Sequence, residues 1–198
     1  MCGIAGLVVL PGRNVEKDDL RAMMSTMVHR GPDESGLWTG LGHFGHVGLG
    51  HQRLSILDHD GGKQPMGTSD GELQLVFNGQ IYNHDELRKE LESLGHHFHS
   101  HHSDTEVLAN GLREWGPDVL SKLNGMFSFG AVDLKNDRLI LARDPMGQKP
   151  LYVATKRFWG ESAPYTFAFS SELSSISALP QARKDISVTA FSRFLAMD

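Results

Sequence analysis

The sequence predicts an α+β fold in which strands near both ends of the chain bracket a pair of helices. Three observations carry this reading. Apolar runs of strand length occur at the N-terminus and through the second half, two capped amphipathic segments lie between residues 83 and 116, and glycine or proline punctuates most junctions. Layered sheets covered by helices are the arrangement that buries such faces.

Residues 3–10 read as a buried strand ended by Pro11-Gly12-Arg13-Asn14. Leu20, Met23, Met24, Met27 and Val28 then recur at helical spacing, predicting an amphipathic helix that stops before Gly31-Pro32, with its methionine stripe in the core. Two strands are expected around Leu37-Trp38 and Val47-Gly48-Leu49. A further strand over 73–77 is broken by Asn78-Gly79, a dipeptide suited to positive φ. Asn83 and Glu86 form a capping box for a helix with Leu87, Leu91 and Leu94 on one face and Gly95 as its stop. Ser103 and Glu106 repeat that arrangement ahead of Val107, Leu108, Leu112 and Trp115, and Gly116-Pro117 closes the helix. Segments 126–132 and 139–142 flank a Lys135-Asn136-Asp137 turn and predict a hairpin, followed by strands over 151–153 and 165–169. The last segment, 187–197, reads as an amphipathic helix with Phe191, Phe194 and Leu195 on one side. It ends at Asp198 without a capping glycine or polar tail, the pattern of a cut chain.

At 198 residues the chain has the length of one domain with a substantial core. A net charge of -5 with no basic stripe argues against nucleic acid or a membrane surface as partner. No apolar run reaches the length of a membrane span, and no basic segment precedes the N-terminal apolar stretch as in a secretory signal. A single cysteine permits no intrachain disulfide, which makes a reducing cytoplasm the expected compartment.

That cysteine, Cys2, follows the initiator methionine. Removal of Met1 would place a thiol and a free α-amine on one residue, and an amine of intrinsic pKa near ~8 can take the thiol proton at neutral pH. A buried, inert thiol is the competing reading. A cysteine acting on an amide also needs an oxyanion hole and a substrate clamp. Asn78 and Gly79 offer a side-chain amide and an unhindered backbone N–H, although Asn-Gly is also a plain turn signal. Arg53 can pair with a carboxylate, and Asp104 can accept from an ammonium group, although an acidic residue also suits a helix start. Together they would fit the two ends of a free α-amino acid. His96, His97, His99, His101 and His102 fall close together, but no second cluster with metal-ligand spacing accompanies them, so no metal site is expected.

Seven blocks occur in register: Met1-Cys2-Gly3-Ile4-Ala5-Gly6, His29-Arg30-Gly31-Pro32-Asp33, Arg53-Leu54-Ser55-Ile56, Asn78-Gly79-Gln80-Ile81-Tyr82-Asn83, Ser103-Asp104-Thr105-Glu106, Asn124-Gly125-Met126-Phe127, and Arg143-Asp144 through Gly147-Gln148-Lys149-Pro150-Leu151-Tyr152. The set resembles the glutaminase domain of glutamine-hydrolysing asparagine synthetases, a class II glutamine amidotransferase. The resemblance implies a four-layer αββα sandwich of the N-terminal nucleophile hydrolase type spanning residues 1–198. It implies a Cys2 thioester, an oxyanion hole of Asn78 and Gly79, and a glutamine pocket made by Arg53, Leu54, Ser55, Ile56, Leu57, Gln80 and Asp104. No cofactor is implied for this domain; ATP and magnesium belong to a C-terminal synthetase domain that this chain lacks and that is normally in the same polypeptide. A homodimer of the full-length enzyme is left open.

Gln80 stands where the resembled family usually has glutamate, which predicts weaker glutamine binding rather than lost chemistry. Pro145-Met146 and Gln148 also differ from the commoner residues of their block. The alternative function is a catalytically weak or non-catalytic amidotransferase-like module that binds or regulates a partner synthase.

Overall fold

The computed structural model describes residues 1–54, 62–185 and 187–196. Its order is β1 (Gly3–Val9), α1 (Lys17–Ser25), β2 (Glu34–Gly42), β3 (Gly45–Arg53), β4 (Met66–Gly67), β5 (Leu73–Ile81), α2 (His84–Ser93), α3 (Asp104–Trp115), β6 (Gly125–Asp133), β7 (Arg138–Arg143), β8 (Tyr152–Thr155), β9 (Tyr165–Ser170), α4 (Leu173–Ser177) and α5 (Val188–Leu195). One sheet runs β2-β3-β1-β9-β8 and the other β4-β5-β6-β7. Every pairing is antiparallel.

The side-chain alternation of the strands separates three apolar layers. Ile4 and Val8 of β1 meet Val47, Leu49, Val76, Val132 and Phe169 between the sheets. Ala5, Leu7 and Val9 point the other way, onto Leu20 and Met23 of α1, the following Met27 and Ile176 of α4. Leu75 and Phe77 of β5 pack outward on Leu87, Leu91, Leu108 and Leu112 of α2 and α3. Helix, sheet, sheet, helix is therefore the observed sequence of layers, as expected. Phe169 wedges the two sheets together; a Cβ on Gly6 or Gly130 would lie 2.0 or 2.3 Å from its ring, so both strands need glycine there. Full burial of a side chain such as Ile4, Leu49 or Phe169 stabilises by about 1.5–3 kcal/mol.

Several local expectations are corrected. β5 does not break at Asn78-Gly79 but continues to Ile81, because it pairs with β6 from Leu73↔Asp133 through Ile81↔Gly125. Gly79 serves close approach instead of positive φ: a Cβ there would meet the Met126 carbonyl oxygen at 2.3 Å. Asn83 precedes α2 without capping it. Its amide instead donates to the Lys122 carbonyl at 2.9 Å and accepts from Asn124 N–H at 2.9 Å, which ties α2 to the entry of β6. At α3 half of the capping box forms. Ser103 Oγ accepts from Glu106 N–H at 3.2 Å, while the Glu106 carboxylate accepts from His99 N–H at 2.7 Å and Ser100 N–H at 2.9 Å. α1 ends at Ser25, so Met27 is buried beyond the helix and Val28 is exposed. The apolar side of α5 is also exposed, with Phe191 at 53% and Phe194 at 65%. Ser55, Ile56 and Leu57 lie outside the described residues.

Candidate active site

β1 runs through the middle of its sheet, and its even-numbered residues Ile4 and Val8 face the layer between the sheets. The same alternation aims Cys2, which immediately precedes the strand, toward that layer. On β5, Val76 faces the same interior, so Asn78 and Gln80 do too. The lone thiol and the Asn78 amide are therefore brought to one end of the sandwich from opposite sheets. Both line a cavity of about 1110 Å³ together with Arg53, Gly79, Gln80 and Asp104.

Cys2 is half-buried, and its Sγ lies 3.9 Å from the Leu54 carbonyl oxygen. Asn78 is 2% exposed, and its Nδ2 has no hydrogen-bond partner among the described residues. A buried amide N–H without a partner is costly, which singles this atom out as a donor awaiting an acceptor.

The Gly79 N–H is placed by the ladder. Gly79 lies opposite Phe127, which spends its N–H on Asp144 Oδ2 at 3.2 Å and its carbonyl on Asp144 N–H at 2.8 Å. Gly79 and Phe127 are thus a pair that exchanges no hydrogen bonds, and Gly79 N–H points away from β6. Phe77 and Ile81 share this phase. Phe77 N–H donates to Gln64 Oε1 at 2.6 Å, and Ile81 N–H donates to Asp104 Oδ2 at 3.0 Å. Between them Gly79 N–H sits on an edge of β5 that faces the cavity, since among the described residues β4 pairs only with Gln74 and Leu75.

Arg53 closes β3, and its register partner across the sheet is Glu34. The two form an ion pair of 2.8 Å that fixes one guanidinium nitrogen of a side chain only 7% exposed. Asp104 is the first residue of α3. Burial raises its carboxyl above the ordinary 3.8, outweighing the Ile81 N–H and the nearby His84 that favour the charged form. A raised carboxyl beside a cavity is suited to a cationic ligand that restores its charge. Gln80 is exposed at the cavity wall.

Residues that sequence reasoning left without roles brace this site. Arg30 Nε donates to the Cys2 carbonyl at 3.1 Å and its Nη1 to Glu172 Oε1 at 3.1 Å. Burial pushes the Asp144 carboxyl up, but the N–H groups of Gln148, Lys149 and Phe127 outweigh it and hold the group below its ordinary value. Asp144 thereby joins β6 to the loop carrying Lys149, whose Nζ is 3.5 Å from Met1 Sδ in the cavity wall. The hydrogen-bonding side chains of Arg30 and Asp144 lie within quoted sequence blocks, and that was the available signal. Glu172 carried none.

Residues 96–102 form a loop, and His99, His101 and His102 join the cavity wall. His96 pairs with Glu114 at 2.8 Å. Among the described residues no group of three or more His, Cys, Asp or Glu is arranged to hold a metal ion. No helix among them is long and apolar enough to cross a membrane.

A half-buried thiol, N–H donors without partners among the described residues, an arginine and an aspartate thus share one cavity in a four-layer αββα sandwich. The chain belongs to the glutamine amidotransferase domain family, whose model matches residues 1–198. It is 39% identical over 200 residues to asparagine synthetase [glutamine-hydrolyzing] 3 of Bacillus subtilis, covering 100% of this chain and 31% of that protein. Asparagine synthetase [glutamine-hydrolyzing] 1 of the same organism is 43% identical over 159 residues, covering 78% and 24%. The Sandersonia aurantiaca enzyme of that name is 40% identical over 161 residues, covering 81% and 29%. The chain thus spans a third or less of the length of these relatives. Among solved structures, glutamine phosphoribosylpyrophosphate amidotransferase from B. subtilis, complexed with ADP and GMP, matches with a TM-score of 0.67 at 19% identity, covering 92% of this chain and 44% of that one. That likeness is one of fold.

Proposed function

We propose that this chain hydrolyses glutamine to glutamate and ammonia, with Cys2, freed of Met1, as the nucleophile. The observation that carries this reading is the convergence of the only cysteine and the unpaired, buried Asn78 amide on one cavity. The α-amine of Cys2 takes the thiol proton, directly or through a water, and the sulfur attacks the side-chain amide carbon of glutamine. The carbonyl electron pair moves onto oxygen, which accepts from Asn78 Nδ2 and Gly79 N–H. As the tetrahedral intermediate collapses, the α-ammonium returns its proton to the leaving nitrogen and ammonia departs, leaving a thioester. Water, deprotonated by the same amine, attacks the thioester carbon and releases glutamate and the thiol. Every group in this sequence is the chain's own, the substrate's or water.

Arg53 binds the α-carboxylate and Asp104 the α-ammonium, while Leu54 through Leu57 and Gln80 complete the pocket. In the longer protein to which residues 1–198 contribute the amidotransferase domain, the ammonia feeds an ATP-dependent synthetase domain that amidates aspartate, in the cytoplasm. Support for that assignment comes from relatives described as glutamine-hydrolysing asparagine synthetases.

The test pairs intact-mass analysis with a glutamate-release assay. Protein lacking Met1 is expected to release glutamate, and Cys2→Ala to release none. Processed protein without activity, or an active Cys2→Ala variant, would overturn the reading.

A further inference from the structure

We propose that Glu172 is a positioning residue for the Cys2 nucleophile, acting through the Arg30 guanidinium. The inference rests on the reading of Cys2 as nucleophile and concerns what holds that residue still.

The ladders leave the start of β1 undersupported. β9 begins to pair with β1 only at Ala5↔Ser170, whereas β3 reaches Gly3↔Gln52. On the β9 side, the segment before Ala5 is tied by the chain that follows β9. Ser171 N–H and Ser170 Oγ donate to the Ile4 carbonyl at 2.9 and 3.0 Å, and Ile4 N–H donates to Ser171 Oγ at 3.0 Å. Two residues closer to the terminus, the Arg30 Nε contact on the Cys2 carbonyl takes over. Once Met1 is gone, that carbonyl is the last backbone acceptor before the Cα bearing both amine and thiol. Chain termini are poorly ordered unless tied down, so this contact fixes the nucleophile relative to Asn78 across the sandwich.

Arg30 cannot hold this position alone. Its side chain is 10% exposed, and its Nη2 has no partner among the described residues. Glu172 supplies its one carboxylate contact among the described residues, Oε1 to Nη1 at 3.1 Å. The same oxygen is met from the solvent side by His29 Nε2 at 2.9 Å, and Oε2 accepts from Ser174 Oγ at 3.2 Å. Glu172 occupies the cap position of α4, yet its side chain does not cap the helix. Burial raises its carboxyl, but Arg30 and His29 outweigh burial and hold it below its ordinary value, consistent with a standing charge. Removing that charge leaves a buried guanidinium with two unpaired nitrogens, which drives Arg30 toward solvent and releases the Cys2 carbonyl. Arg30, Glu172 and His29 lie outside the cavity wall, so the clamp works from behind the nucleophile without touching substrate.

The experiment compares Glu172→Ala, Arg30→Ala and the double variant in the full-length protein, with Met1 removal verified by mass. Steady-state glutamine hydrolysis and amide hydrogen exchange at Ile4 are both read. A misplaced nucleophile costs turnover rather than substrate affinity, so kcat is expected to fall by about 10-fold in Glu172→Ala with KM within about twofold. Because Glu172 acts through Arg30, the double variant is expected to be no slower than Arg30→Ala. Exchange at Ile4 is expected to quicken by about 10-fold in either single variant. An unchanged kcat, a double variant slowed by the product of the two single losses, or unchanged exchange would each overturn the inference. Absence of glutamine hydrolysis in the wild type would instead refute the proposed function, and the exchange measurement would still decide whether the clamp exists.

Discussion

Truncating Asn78 to alanine separates stability from catalysis in a way that a structural asparagine could not. The side chain is 2% exposed, and its Nδ2 has no partner among the described residues. Burying such an unpaired group costs roughly 1–3 kcal/mol, a cost that Asn78→Ala removes along with some packing. The two effects oppose each other and leave stability within about 1 kcal/mol of the wild type, a shift of roughly 2–4 °C in Tm for a chain of this size. Catalysis should respond differently. Loss of one oxyanion donor typically lowers kcat by about 10² to 10³, or roughly 2.7–4 kcal/mol in the barrier, while the ground-state carbonyl is little affected and KM holds. The assay is glutamate release under steady state, paired with thermal unfolding of the same preparation. Residual turnover is expected because Gly79 N–H still faces the cavity from the free edge of β5. A kcat within threefold of wild type, or a large loss of Tm, would refute the assignment of this unpaired amide to the transition state.

Two further outcomes follow from the proposed substrate clamp. The folded-state pKa of Asp104 is raised, so between the unfolded and folded values the native protein holds a proton that the unfolded chain has lost, and stability falls as pH rises through that window. Asp104→Asn should therefore unfold at higher temperature at neutral pH yet bind glutamine at least about 10-fold more weakly, while the wild-type acid limb of kcat/KM should lie above 3.8; a variant with unchanged KM would remove Asp104 from the clamp. Gln80→Glu replaces a neutral contact to the substrate ammonium with a charge-assisted one and should lower the glutamine KM by about fivefold, a gain of roughly 1 kcal/mol. No improvement on titrating glutamine into that variant would mean that Gln80 does not face the ammonium.

Much of the layering was legible because burial imposes periodicity. The unbroken apolar run of β1 records a strand buried on both faces, the helical spacing of Leu87, Leu91, Leu108 and Leu112 records one apolar face on each helix, and each face found its layer. Local signals failed where tertiary pairing outweighed them. Asn78-Gly79 is a strong turn dipeptide, yet nine successive pairs between β5 and β6 hold it extended. Asn83 has the right identity for a cap, but Lys122 and Asn124 compete for its amide. The candidate site was legible as a set of residue types: Cys2, Arg53, Asn78, Gly79, Gln80 and Asp104 do line one cavity. Its bracing was not. Glu172 reaches Arg30 from 142 positions away, and no sequence spacing encodes an ion pair made only when β1, β9 and the turn after α1 come together.

The same geometry shows how an antiparallel sandwich can offer a backbone donor to the proposed chemistry from a strand edge. A sheet consumes its backbone donors in ladders, so a strand N–H is available to a ligand only at an edge that stays unpaired. β4 meets β5 only at Met66↔Leu75 and Gly67↔Gln74. Extending that register in the same antiparallel sense would bring the main chain near residues 62–64 alongside Phe77 and Gly79. Instead, the Gln64 side chain takes Phe77 N–H and Asp104 takes Ile81 N–H, and the edge between them is left to the cavity. A longer β4 would have satisfied Gly79 and removed a donor from the site. The shortness of that strand, like the Arg30 contact on Cys2 beyond the reach of the β9 ladder, is thus a place where regular pairing stops, and the proposed chemistry uses both: one for the oxyanion, the other for the nucleophile.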